Sequence, residues 1–327
     1  MRRREFIIAI GGVAAWPLAV RAQQRVPVIG ILLSGAAEAL SSKAQMELLR
    51  AGMQAVSLAE DKDYIFEIRA ADSDSRRFPA LATELLALHP AAIVASTNLA
   101  ITSIQQISGT VPIVGASLNS PVAVGLVASL SHPGGNITGV STMADELVFK
   151  SVEIMREMLP HVSKVVVILN PTNSSNPVMF EALTRQFGSP GLVFGSVGIS
   201  SSADLDAAFD EVSRQHPDAL IVLTDNSLLG LSNMIVMRAM TQRLPVFANQ
   251  SFVFSQAGTL VNYSRDPNES FQAIARLLKK ILTGSSPADL PVEQPTKFLL
   301  SINLKTAKAL DINIPPAMLT RADEVIE

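Results

Sequence analysis

The sequence contains no cysteine, and this absence removes several chemistries together. Disulfides, thiolate metal ligands, a cysteine nucleophile and a lipid-modified bacterial N-terminus all require a thiol. Histidine is scarce. His89, His132, His161 and His216 are the four present, and they form no H-x-x-x-H pattern, so no metal site is expected. Positive charge is not in excess. A formal net charge of -3 gives no electrostatic footprint for nucleic acid, and no nucleic-acid partner is expected. The phosphate and nucleophile signatures G-x-x-x-x-G-K-[ST], G-x-G-x-x-G after a strand and G-x-S-x-G are all missing, so the chain is read as neither an enzyme nor a cofactor binder. "HPGGNITG" (132–139) is glycine-rich but has no helix behind it, and reads as a turn leading into a strand. Long hydrophobic runs are also lacking. "FIIAIGGVAAWPL" is the apolar stretch near the N-terminus, and its 13 residues fall far short of the ~20 that span a bilayer.

That short stretch belongs to a recognisable pattern. "MRRREF" is a basic start, the apolar stretch follows, and "VRA" places short residues at Val20 and Ala22 before Gln23. Residues 1–22 therefore read as a secretory signal cleaved near Ala22–Gln23, and the mature protein is expected in the periplasm. Arg3-Arg4 followed by Phe6 also fits the core of a twin-arginine signal, so both export routes remain open.

What the chain does have is a repeat. "LHPAAIVAST" begins at residue 88 and "QHPDALIVLT" at residue 215. His89 and His216, Pro90 and Pro217, Ala92 and Ala219, and Thr97 and Thr224 are each 127 positions apart. His-Pro stops a helix, because the residue before proline resists the right-handed α region. A continuous apolar run follows in each case and reads as a buried parallel strand. The same order of elements surrounds both phrases. "VPVIGILL" (26–33), "YIFEIRAA" (64–71), "AAIVAS" and "VPIVGAS" are strands in the first half; "KVVVILN" (164–170), "GLVFGSVGI", "DALIVLT" and "LPVFAN" are strands in the second. Helices lie between them, one opened by a capping box at Ser42 and Gln45 and one spanning "LLGLSNMIVMRAMTQR". Each half is β-α-β-α-β-α-β, which predicts two Rossmann-like α/β domains with parallel sheets and helices on both faces.

In open α/β sheets ligands bind beyond the carboxyl ends of the strands. Here those ends carry Ser34, Thr97, Asn98, Ser117, Asn119, Asn170, Asn176, Asp225, Asn226, Asn249 and Tyr263, a neutral hydrogen-bonding set with one acid. They are the candidate ligand-binding residues. The same residue types are also good helix caps, so composition leaves both roles open. Asp225 offers a receptor for an amine, and helix N-termini suit a carboxylate.

"GLVASLSHPGGNITGVS" (125–141), "LTDNSL" (223–228) and the C-terminal "ILTGSSPADLPVEQPTKFLLSINLKTAKALDINIPPAMLTRADEVIE" (281–327) resemble the substrate-binding proteins of ABC transporters, in particular relatives of tryptophan and other amino-acid or aromatic-compound receptors. The resemblance runs in order over nearly the whole chain after Gln23. It implies a type I periplasmic-binding-protein fold: two lobes joined by three crossings, a cleft between them, and a small-molecule ligand trapped by closure. It also implies a membrane permease and an ATPase as partners. The implied lobes are 23–142 with 265–288, and 143–264 with 289–327, with crossings near 141–144, 262–265 and 287–292. Two features depart from the family pattern. Asn119-Ser120-Pro121-Val122 stands where Asp-Pro-Val is usual, so an acid expected near the cleft is missing, and "SLAEDKDY" replaces a Gly-aromatic turn. A secreted α/β enzyme with an interdomain cleft is the alternative. A ligand-sensing regulator of this fold would carry a helix-turn-helix where the signal stands.

Overall fold

"VIGILL" and "KVVVIL" are rich in branched apolar side chains, and almost every residue in them is buried. Strands buried on both faces need helices on both sides, and the chain supplies them in alternation. The computed structural model describes residues 26–327 apart from Ser73, Pro190, Ser251 and Phe252. The expected signal segment, its cleavage site and the twin-arginine pattern lie outside the described residues.

The first lobe is built on β1 (Val28–Leu33), β2 (Ile65–Ala70), β3 (Ala92–Ala95), β4 (Ile113–Leu118) and β5 (Ile137–Ser141), in the order β2-β1-β3-β4-β5. All its pairings are parallel. The second uses β6 (Lys164–Leu169), β7 (Val193–Gly198), β8 (Ala219–Val222), β9 (Val246–Ala248) and β10 (Val261–Arg265) in the order β7-β6-β8-β9-β10, again parallel. The two orders are the same pattern written twice. The second sheet then extends by β11 (Phe298–Asn303), antiparallel to β10, and β12 (Glu324–Ile326).

The repeated His-Pro phrase has a backbone cause. His89 and His216 have φ of 52° and 48°. Each ends its helix in the left-handed conformation and is followed by a proline that cannot continue it. β3 and β8 begin three residues after these stops.

Two helices differ from the sequence expectation. The helix after β1 spans Leu40–Ala55, so Ser42 lies inside its first turn and no side-chain cap forms at its start. Ser42 is buried instead. The long helix expected over residues 228–243 is two, Asn226–Gly230 and Ser232–Thr241. Asp225 caps the first directly after β8, and the chain turns at Leu231 before the second.

The chain passes between lobes at Thr142–Met143, at Asp266 and after Glu293. The helix Pro267–Leu282 leaves the second sheet and packs on Leu40–Ala55 in the first lobe, where Ile274, Leu277 and Leu278 join the core around Ile29 and Met53. The approach is close: a Cβ on Gly52 would lie 2.9 Å from the carbonyl oxygen of Phe271. The third crossing comes later than the expected 287–292. Leu290 is in the first-lobe core, Thr138 Oγ1 donates to its carbonyl oxygen at 2.8 Å, and Glu293 bridges Val140, so 290–293 stay with the first lobe. Among the described residues no helix is long and apolar enough to cross a membrane.

Candidate functional site

The carboxyl ends of the two parallel sheets face each other, and a cavity of about 180 Å³ lies between them. It takes its walls from both lobes, with Ser34, Ser96 and Ser117 on one side and Thr224, Asn226 and Asn249 on the other. Its volume is many times the ~10–15 Å³ that a single water needs, which suits a small organic molecule. Leu33, Leu48, Leu147, Leu229, Val253 and Phe271 make a large part of the lining apolar. A small apolar space of about 20 Å³ lies next to it in the first lobe, beside Ile31, Met46, Leu49 and Val94. The two spaces share Leu33, Gln45, Ser96, Ala116 and Phe271.

Eight of the eleven residues proposed from the sequence line this cavity: Ser34, Thr97, Asn98, Ser117, Asn119, Asp225, Asn226 and Asn249. Asn170, Asn176 and Tyr263 stand elsewhere. Asn176 is fully buried; its Oδ1 accepts from the Asn170 backbone N–H at 2.8 Å and its Nδ2 donates to the Thr224 carbonyl at 3.1 Å. Asn170 Nδ2 donates to Asp225 Oδ1 at 3.2 Å. These two asparagines hold the loop that carries Thr224 and Asp225. Tyr263 stacks on Phe298 with ring centroids 5.8 Å apart and packs on the second-lobe core.

Most lining polar groups are engaged with one another. Asp225 Oδ1 accepts from the backbone N–H groups of Ser227 and Leu228 at 2.8 and 3.0 Å, and its Oδ2 from Asn173 Nδ2 at 2.9 Å. Thr97 Oγ1 accepts from the Ala100 N–H and so caps the helix Asn98–Gln105. Asn98 is bound to the Asn119 backbone through both amide atoms. The Asn249 amide is assigned with its nitrogen toward Thr224 Oγ1 and the Val222 carbonyl, which places its oxygen toward the Val148 N–H. Asn119 and Asn226 tie the lobes together directly. Asn119 Nδ2 donates to the Thr224 carbonyl at 3.2 Å, and Asn226 Nδ2 to the Ser96 carbonyl at 2.9 Å. Ser120, which stands directly before Pro121-Val122 where an acid is missing, donates its hydroxyl to Asp145 Oδ2 at 3.3 Å.

Sequence reasoning missed Arg265, the last residue of β10. Its Nη2 donates to Ser117 Oγ at 2.5 Å and to the Ala116 carbonyl at 3.2 Å, again from one lobe to the other. Its Nη1 is buried with no partner. Among the described residues no carboxylate pairs with it, and burial pushes the guanidinium down to about 10, so it remains charged at neutral pH. Among the described lining residues, Ser96 Oγ is the other polar atom buried without a partner. An arginine in a strand reads as a solvent-facing charge. The signal that would have found it is its place at a strand's carboxyl end, two residues beyond Tyr263. No cluster of three or more histidine, aspartate or glutamate side chains able to hold a metal exists among the described residues.

Residues 31–326 match the family model of the ABC transporter substrate binding proteins. A tyrosine-binding protein of Clostridioides difficile (strain R20291) is 27% identical over 202 residues, which are 62% of this chain. The match spans 57% of that relative's length. Among solved structures, a conserved domain protein from Vibrio cholerae superposes with a TM-score of 0.84 at 24% identity, covering 92% of this chain and 99% of that one. An ABC domain from Streptococcus pneumoniae in complex with L-Trp superposes with a TM-score of 0.79 at 21% identity, covering 91% of this chain and all of that one. These neighbours have the type I periplasmic-binding-protein fold.

Proposed function

Because this chain belongs to the ABC transporter substrate binding protein family, we propose that it captures a small organic carboxylate between its lobes in the periplasm and delivers it to a membrane permease driven by an ATPase. In this reading the lobes are 26–141 with 267–293 and 144–265 with 298–327, and the hydrogen bonds of Asn119 and Asn226 across the cleft support a closing motion between them. The N-terminal basic-apolar pattern supports export, and the relatives that take L-Trp and tyrosine support a solute carrying a carboxylate.

One observation carries the reading: Arg265 Nη1 is buried at the junction of the lobes, charged and unpartnered. A buried charge is costly unless it is paired, and a bound carboxylate would pair it in a charge-assisted hydrogen bond. Closing the lobes also removes water, which strengthens that pairing.

Thermal unfolding against benzoate, phenylacetate, 3-phenylpropionate, 4-methylpentanoate, L-phenylalanine and L-leucine tests this. A carboxylate at 100 times its Kd stabilises the folded protein by about 2.7 kcal/mol, and Arg265→Gln is expected to abolish the stabilisation while remaining folded. Wild-type protein unmoved by every carboxylate, or an Arg265→Gln variant that responds equally, would reject the proposal.

A further inference from the structure

We propose that the cleft selects carboxylates that lack an α-ammonium group, an arylalkanoate or branched alkanoate rather than an amino acid. This rests on the reading of the cleft as a carboxylate site and adds what occupies the remainder of it.

An ammonium group needs acceptors, best a carboxylate, where it is bound. Asp225 is the single acid among the described lining residues. Its oxygens already accept from two backbone N–H groups and from the side chains of Asn170 and Asn173. Those donors belong to the same lobe, and through the two backbone N–H groups Asp225 caps the helix Asn226–Gly230, so recruiting Asp225 to an ammonium would uncap that helix. Three cleft amide oxygens are committed too, Asn98 Oδ1 to the Asn119 N–H, Asn119 Oδ1 to Thr142 Oγ1 and Asn226 Oδ1 to Gln250 Nε2, which leaves the Gln45 amide as a neutral acceptor and no free carboxylate.

Asp145 is the rival receptor. It stands near the first crossing, its Oδ2 accepts from Ser120 Oγ, and its Oδ1 is buried without a partner. It does not line the cavity. Burial, and then the neighbouring Glu146, raise its pKa, which biases it toward the neutral acid, a poorer partner for a cation.

Two buried polar atoms of the cavity have no partner among the described residues. Arg265 Nη1 can only donate, and Ser96 Oγ can donate. Both suit an acceptor-only head group. Beyond them the small apolar space in the first lobe is lined by Ile31, Met46, Leu49, Val94 and Phe271. Its volume of about 20 Å³ is close to that of one water, but its apolar lining gives a water few partners, so a methyl group or ring edge fits it better. An ammonium brought into this site trades its hydration for neutral acceptors such as Gln45 Oε1 with no free carboxylate, a penalty an alkyl or aryl chain avoids.

Isothermal titration of wild-type protein with matched pairs decides the matter: 3-phenylpropionate against L-phenylalanine, and 4-methylpentanoate against L-leucine. The acid without the amine is expected to bind at least tenfold more tightly in at least one pair, to lose binding in Arg265→Gln, and to keep its affinity in Asp145→Asn. An amino acid that binds as well as or better than its partner, in a manner dependent on Arg265, overturns the inference and leaves the carboxylate reading intact. Binding of none of the four overturns both.

Discussion

Asp225 shows how a single residue divides between cleft and scaffold. Facing the cavity, it looks like a ligand contact; counted by hydrogen bonds, it is a helix cap and the anchor for Asn170 and Asn173. Replacing it by asparagine keeps an oxygen for the Ser227 and Leu228 N–H groups but turns an amide nitrogen toward the Asn173 donor. Asp225→Asn is therefore expected to lower stability by about 1–3 kcal/mol, read as a lower urea midpoint at unchanged slope. An unchanged midpoint would return Asp225 to the ligand. Eight of the eleven residues that the strand-end rule picked out line the cleft, because the carboxyl end of a parallel strand is a position that apolar runs mark clearly. The rule could not separate those that face the cavity from those such as Asn170 and Asn176 that face a neighbouring loop, since both are polar residues just beyond a strand. Arg265 escaped because its burial is decided by Ala116 and Ser117, almost 150 positions away in the chain.

At the scale of elements, the start of the helix Ala144–Met158 carries a testable electrostatic cost. Asp145 lies in its first turn, where the helix favours an anion, yet burial and then Glu146 raise its pKa against the opposing Ser120 hydrogen bond. A carboxyl with a folded pKa above its unfolded value of ~3.9 holds its proton more tightly when folded. Its contribution to stability is present below the unfolded pKa and is lost as pH rises through the folded one. Asp145→Asn removes that titration. The variant is expected to melt higher than wild type at pH 7, with the difference shrinking below about pH 4; a difference independent of pH would remove Asp145 as its source. Helix limits were less legible than strands for a related reason. Ser42 and Gln45 have the spacing of a capping box, but the helix begins two residues earlier and buries Ser42 beside the cleft, a tertiary choice that local spacing does not record.

Across the whole molecule, the 127-residue repeat was the most informative feature of the sequence, because two copies of one apolar rhythm specify two copies of one strand order. The fold was legible to that extent. The late third crossing was not, since it depends on Glu293 bridging Val140 across a lobe core. With two bodies and short crossings, a ligand that touches both walls shifts the population toward the closed form. Small-angle scattering is expected to show a smaller radius of gyration with saturating 3-phenylpropionate than without it; identical curves from an open apo protein would contradict closure. The route of the chain has a further consequence, in the order of synthesis. The helix Pro267–Leu282 and Leu290 complete the core around β1, although almost the entire second lobe is encoded between them. A ribosome therefore finishes the second lobe's parallel strands before the first lobe has all the side chains it buries. The first 120 residues or so must wait, half-covered, for a helix made some 130 residues later. Folding in this protein is expected to finish from the C-terminal part of the chain backwards, and truncation before residue 290 should leave neither lobe able to stand by itself.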